Sequence, residues 1–203
     1  MSRAGSKFSP RIGYQGERGA FSEQAARQLH SAEAKLFPCH DFASLFAALK
    51  ARKIDLVVAP VENAIAGKVT PVEELLLGIP HHVLGEVRLP IAMALIAVPG
   101  ARFKDIRSVE SHPVALAQCR QFLAAHPQIT ATVANDTAAS VRRIMESRDI
   151  TRAAIASTYA AEVYGAQILR ENIQDRKDNW TRFLLLEHAT QNDKNPHSSG
   201  GRP

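Results

Sequence analysis

The order of apolar runs, turns and capped helix starts predicts an α/β fold in two lobes, each a mostly parallel sheet flanked by helices. Three observations carry this. Short strand-like runs alternate with amphipathic helices through most of the 203 residues. The alternation breaks once, where residues 82–89 and 91–98 give two strands in succession around Pro90. A single apolar strand, residues 182–186, then returns after the last polar turn.

Taken in order, Ile12-Gly13-Tyr14 reads as a strand that enters the turn Gln15-Gly16-Glu17-Arg18-Gly19, with a helix starting near Phe21. A strand, glycine-rich turn and helix start can hold an anion on free backbone N–H groups. The glycine spacing fits neither a dinucleotide fingerprint nor a P-loop, which excludes a nucleotide site; a tight turn without ligand stays open. Asp41 is placed to cap a helix whose Phe42, Leu45, Phe46 and Leu49 share one face. Residues 54–59 are apolar almost throughout, as in a strand buried on both faces. They lead past Pro60 into a polar turn with Glu62 and Asn63. Thr70-Pro71-Val72-Glu73 has the order of an N-cap, N1 proline and capping-box glutamate, and Gly78 supplies a stop. Residues 106–109 form the next strand, and Ser111-His112-Pro113 opens one helix running through Leu116 and Phe122. A strand at 129–133, the polar cap Asn135-Asp136-Thr137, a strand at 153–156, a cap at Ser157 and a stop at Gly165 complete the rhythm.

Composition narrows the class. A content of 45% apolar and 22% charged residues is ordinary for a globular chain. The run at 91–98 is too short to span a bilayer, and no leader-like segment opens the chain. Cys39 and Cys119 lie far apart without metal-type spacing, so a reduced, cytoplasmic protein is expected. His81 and His82, adjacent in a strand, point to opposite faces and make a poor metal pair. The net charge of +5 looks like a nucleic-acid signal until it is located. Arg3, Lys7 and Arg11 put +3 in residues 1–11, and Lys194 and Arg202 less Asp193 put +1 in residues 189–203, which leaves +1 between. Both ends read as disordered tails, so neither nucleic acid nor membrane is expected as a partner.

If the strands of each lobe run parallel, the polar ends near Gly19, at Glu62-Asn63, at Ser111-His112-Pro113 and at Asn135-Asp136-Thr137 fall on facing rims. Such rims make a cleft suited to a small molecule with more than one carboxylate. The turn at 172–183 adds amides, charges, a hydroxyl and a guanidinium. A solvated loop there, and turn bonding by Glu62 and Asn63 themselves, are the competing readings.

Five segments together point further: residues 13–22 (Gly-Tyr-Gln-Gly-Glu-Arg-Gly-Ala-Phe-Ser), Pro60-Val61-Glu62-Asn63, Ser111-His112-Pro113, Asp136-Thr137-Ala138 and Asn179-Trp180-Thr181-Arg182-Phe183. In this order, over residues 12–188, they resemble the signature segments of the prephenate dehydratase family. Tyr14-Gln15-Gly16 and the segment at 85–90 look most like its arogenate-using branch. The resemblance implies a fold similar to periplasmic binding proteins, with the site between lobe one (12–86 and 177–188) and lobe two (87–176). It also implies loss of the ring hydroxyl and CO₂ from prephenate to give phenylpyruvate, in phenylalanine biosynthesis, with no metal or cofactor and as a homodimer. The catalytic set it implies is Thr181, Asn63 and Glu62. Substrate contacts would come from Ser111, His112, Gln118, Asn135, Thr137, Arg182 and Phe183. Thr181 would donate to the leaving oxygen. Arg182 is either a carboxylate clamp or a salt bridge at the hinge, and Phe183 suits the core better than the ligand. Ala64 stands where the family has Ser, Val114 where it has Gln, and Asn135 where some members carry an acid. The regulatory ACT domain is expected to be absent after His188, and turnover to be insensitive to phenylalanine. Arogenate as substrate, and a non-catalytic small-carboxylate-binding protein of the same fold, are the alternatives; the intact Thr181 speaks for an enzyme.

Overall fold

The structure is a computed structural model that describes residues 9–30 and 34–189. In chain order, β1 (Arg11–Gln15), α1 (Phe21–Leu29), β2 (Lys35–Cys39), α2 (Phe42–Lys50), β3 (Leu56–Asn63), β4 (Gly67–Lys68), α3 (Thr70–Leu77) and β5 (His81–Pro90) come first. There follow β6 (Ala94–Ala97), β7 (Ser108–Ser111), α4 (Pro113–Ala117), α5 (Arg120–Ala124) and β8 (Thr130–Val133). Then come α6 (Thr137–Ser147), β9 (Arg152–Ala156), α7 (Thr158–Tyr164), β10 (Gln167–Arg170) and finally β11 (Trp180–His188). No helix among the described residues is long and apolar enough to cross a membrane.

The strands form two sheets flanked by helices. The first has the order β2-β1-β3-β11-β5 with β4 paired to β3, and the second the order β10-β6-β9-β7-β8. Their directions are mixed. β2, β1 and β3 run parallel, as do β8, β7 and β9; β11 and β6 run against them, so β5 and β10, each paired antiparallel to one of these two, run the same way as the parallel strands. Strands joined through a helix run the same way, including β3 to β5 through α3 and β9 to β10 through α7. The return strand β11 and the strand that follows the crossing, β6, carry no such constraint.

β3 shows why the first sheet needs helices on both faces. Leu56 and Val58 pack with Ile12, Ala25 and Phe183, whereas Val57 and Ala59 pack with Leu45, Phe46 and Leu49. Successive strand residues face opposite ways, so a run apolar at every position is buried twice. The second sheet repeats this, with Leu95 and Ile155 beside Ile106 and Val109, and Ile96 and Ala154 beside Val141 and Ile144.

Several local expectations change. Arg11, assigned to a tail, opens β1, and its guanidinium and backbone N–H bind the Asp55 carboxylate at 2.8–3.1 Å. Of the rest of the expected tails 1–11 and 189–203, Pro10 O accepts from Lys35 N–H and Ala189 N–H donates to Pro80 O, while residues 1–8 and 190–203 lie outside the described residues. Thr70 is the first residue of α3 rather than its cap, and Glu73 takes the Lys68 ammonium at 2.6 Å instead of closing a capping box. The single helix expected after Pro113 is two, parted at Gln118 and Cys119. The Asp175 carboxylate accepts from the N–H groups of Arg120 and Gln121 and starts α5 afresh.

The chain leaves the first sheet after Pro90, not at residue 86, because β5 stays paired to β11 through Pro90 opposite Trp180. It comes back before Trp180. The two crossing segments are bonded to each other: Ile91 N–H to Asn179 O at 3.0 Å, Ile173 N–H to Met93 O at 3.0 Å, and Met93 N–H to Gln174 Oε1 at 2.8 Å.

Candidate active site

β11 and β3 set Thr181 opposite Asn63, and Arg182 opposite Glu62. Asn63 is the fixed point. Its Oδ1 accepts from the N–H groups of Ile65 and Ala66 at 3.0 and 2.9 Å, so its amide nitrogen must face the other way. That nitrogen reaches Asn179 Oδ1 at 2.9 Å, Thr181 Oγ1 at 2.9 Å and Trp180 O at 3.1 Å. Thr181 therefore receives a hydrogen bond on its oxygen, which leaves its own proton to point elsewhere. The side chain of Asn179 continues to Gln118, its Nδ2 donating to Gln118 Oε1 at 3.4 Å. Thr181 and Asn179 are both buried.

Gln118 and Asn179 line a cavity of about 170 Å³ with Ile65, Ala117, Gln174 and Arg176. Gln174 and Asn179 also border a second one, about 330 Å³, with Asn172 and Lys177 on its wall. The glycine-rich turn of the first lobe also approaches the second lobe. A Cβ on Gly16 would stand 3.4 Å from Asp136 Oδ2 at the start of α6, and Tyr164 of α7 donates to Arg18 O at 2.8 Å.

The expected residues divide. Thr181, Asn63 and Gln118 come together. Glu62 and Arg182 do not join them. Alternation turns both to the opposite face of the sheet, where Arg182 Nε donates to Glu62 Oε2 at 3.2 Å and its Nη1 to Glu86 Oε2 at 3.4 Å. There they line a separate groove of about 510 Å³ with Val61, Lys68, Glu73 and Leu184. The salt-bridge reading of Arg182 is the one this geometry fits. Phe183 is buried in the core with Leu89 and Leu185.

In the second lobe, Ser111 is fully buried and donates to Ile155 O at 2.6 Å, tying β7 to β9. His112 Nδ1 accepts from Val114 N–H at the start of α4. Thr137 opens α6 beneath the Asp136 cap, and Asn135 is exposed just before it. Asn179 opens one of the five signature segments but carries no expected role of its own. The available signal was its place two residues before Thr181, on the same side of an extended chain.

Two α/β lobes whose facing loops bring the amides of Asn63, Gln118 and Asn179 and the Thr181 hydroxyl into one hydrogen-bonded group beside a cavity define a cleft for a small molecule. The family model described as "PDT: Prephenate dehydratase" matches residues 12–191, and the chain belongs to the prephenate dehydratase family. Over 176 residues it is 39% identical to "Arogenate dehydratase/prephenate dehydratase 2, chloroplastic" of Arabidopsis thaliana, covering 87% of this chain and 46% of that protein. The chain thus spans about half the length of the curated relatives it matches. Among solved structures, the prephenate dehydratase of Arthrobacter aurescens in complex with L-Phe matches with TM-score 0.79 and 30% identity, over 89% of this chain and 61% of that one. A quorum-quenching acylase, GqqA, matches with TM-score 0.79 and 32% identity, over 89% of this chain and 64% of that one.

Proposed function

We propose that this chain is the catalytic unit of a dehydratase that converts prephenate to phenylpyruvate, CO₂ and water. The observation that carries the reading is the Asn63–Thr181 hydrogen bond, within a chain that belongs to the family. As the ring C–O bond breaks, the electron pair of the bond to the ring carboxylate moves into the ring. CO₂ leaves, the ring becomes aromatic, and the departing oxygen takes a proton and leaves as water. Aromatisation supplies much of the driving force, so the protein need only stabilise the developing hydroxide and hold the substrate. The Thr181 hydroxyl, its oxygen held by Asn63, donates to the departing oxygen and relays a proton from water. The amide of Gln118 holds a substrate oxygen. Arogenate, with an amino group in place of the side-chain keto group, is the second reading, favoured by the name of the Arabidopsis relative.

Steady-state assays on each substrate test this. Thr181→Val, which keeps the shape and removes the hydroxyl, is expected to lower kcat by about 10²–10⁴-fold, with Thr181→Ser retaining much of the rate. Product affinity should change far less, because the lost bond strengthens only as charge develops on the oxygen. Equal turnover in Thr181→Val and wild type removes Thr181 from the mechanism. Tight carboxylate binding by wild type with turnover of neither substrate makes the protein a binder.

A further inference from the structure

The hydrogen bonds around Asn63 have a direction, and that direction can be followed across the cleft. Two backbone N–H groups fix Asn63 Oδ1, so Asn63 can only donate to Asn179. Asn179 must then present its oxygen to Asn63 and its nitrogen to Gln118. Gln118 in turn must present its oxygen to Asn179, which leaves its two N–H donors for the cavity that it lines. Asn63 acts on Thr181 in the same sense, occupying Oγ1 and freeing the hydroxyl proton. The direction set by two backbone amides in the first lobe thus reaches a side chain of the second.

Among these hydrogen-bonded side chains, Asn179 is the one that touches both sides. It is buried, its carbonyl joins the two crossing segments at Ile91, and its side chain bonds Asn63 of the first lobe and Gln118 of the second. At 3.4 Å the bond to Gln118 is the longest in the series and the first to be lost if the lobes part. We propose that Asn179 is a positioning residue that sets which end of the Gln118 amide faces the ligand and aims it together with Thr181. The donor pair is then complete only when the lobes are closed. So polarised, the Gln118 amide offers donors to a substrate oxygen in a cavity whose wall also carries the Asp175 carboxylate and the Arg176 guanidinium. The kinetic part of the proposal rests on the dehydratase reading above.

Two measurements test it. The first is prephenate kinetics of Asn179→Ala, alone and combined with Gln118→Ala or Thr181→Val. Loss of one well-placed hydrogen bond to a charged group corresponds to about 10- to 100-fold. Asn179→Ala should therefore raise KM and lower kcat by roughly tenfold each. The KM effect should vanish in the Gln118→Ala background and the kcat effect in the Thr181→Val background. Effects that multiply in full in both double variants overturn the proposal. Asn179→Asp covers the case in which the alanine variant does not fold. It keeps the acceptor for Asn63 but cannot donate to Gln118, so KM should rise while kcat is largely kept; a loss confined to kcat counts against the proposal. The second measurement needs no turnover: the side-chain amide signals of Gln118 and Asn63 in ¹⁵N spectra of wild type and both variants. Asn179→Ala should move and sharpen the Gln118 pair, and Asn179→Asp should shift it without freeing it. An unchanged Gln118 pair in both variants overturns the proposal. A moved pair in a protein that turns over neither substrate upholds the positioning role and removes the dehydratase reading.

Discussion

The guanidinium of Arg182 sits 3.2 Å from Glu62 and 3.4 Å from Glu86, while the hydroxyl one residue earlier bonds Asn63 on the opposite face. Adjacent strand residues cannot serve one cleft from the same side. Arg182→Gln is therefore expected to act on stability and hardly on the ligand. With side-chain exposures of 31% for Arg182, 40% for Glu62 and 56% for Glu86, the loss should stay below about 1 kcal/mol. Urea unfolding checks the first part. A rise in KM of about tenfold or more would show the guanidinium reaching the ligand after all. Strand alternation alone separates residues 181 and 182, although the resemblance implied both for one site. The convergence of Asn63, Gln118 and Thr181 was not legible in the sequence, because they come from three separate elements. Only the resemblance of their surrounding motifs to a known family placed them together.

Helix starts were legible where the partner is local. The side chains of Asp41, Asp136 and Ser157 each accept from an N–H three residues on, and all three caps could be read from short segments. The break between α4 and α5 could not, because Asp175, which caps α5, lies 55 residues from Arg120. The turn between β1 and α1 combines both kinds of constraint. Gly19 has φ of 90°, and a Cβ there would stand 3.2 Å from the Ala160 Cα of α7. Its backbone N–H donates to the buried Glu23 carboxylate at 2.6 Å, which holds the turn against the helix. Gly19→Ala thus meets strain within its own element and a clash with the other lobe. The expected destabilisation is about 1–3 kcal/mol, read as a lower urea midpoint. A midpoint equal to wild type would mean that the turn relaxes freely away from α7.

The lobes also meet through tyrosines. Tyr14 of β1 is buried, and burial first, then the charge of Glu23, pushes its phenol well above the ordinary value of 10.0. Tyr159 and Tyr164 of α7 are raised too, by burial and then by Glu23 and Glu17 of the first lobe respectively. Groups that hold their protons more tightly when folded contribute stability in full below the unfolded pKa, and lose it as pH rises through the folded one. The thermal midpoint should hold up to about pH 10 and fall above it, less steeply in Tyr14→Phe. A profile identical in the two proteins would exclude Tyr14 from the alkaline transition. The insertion of β11 between β3 and β5 has a different consequence, in the order of assembly. Every strand of the second sheet lies between Ala94 and Arg170, so that lobe can close on its own residues. The first lobe cannot, because its central slot is filled by a strand that follows the whole of the second lobe in the chain. Until then β3 keeps an unpaired edge, the kind of surface along which incomplete chains associate. Asn63 and Thr181 stand 118 residues apart in the chain, so the pair at the centre of the site can form only after the whole second lobe has been made.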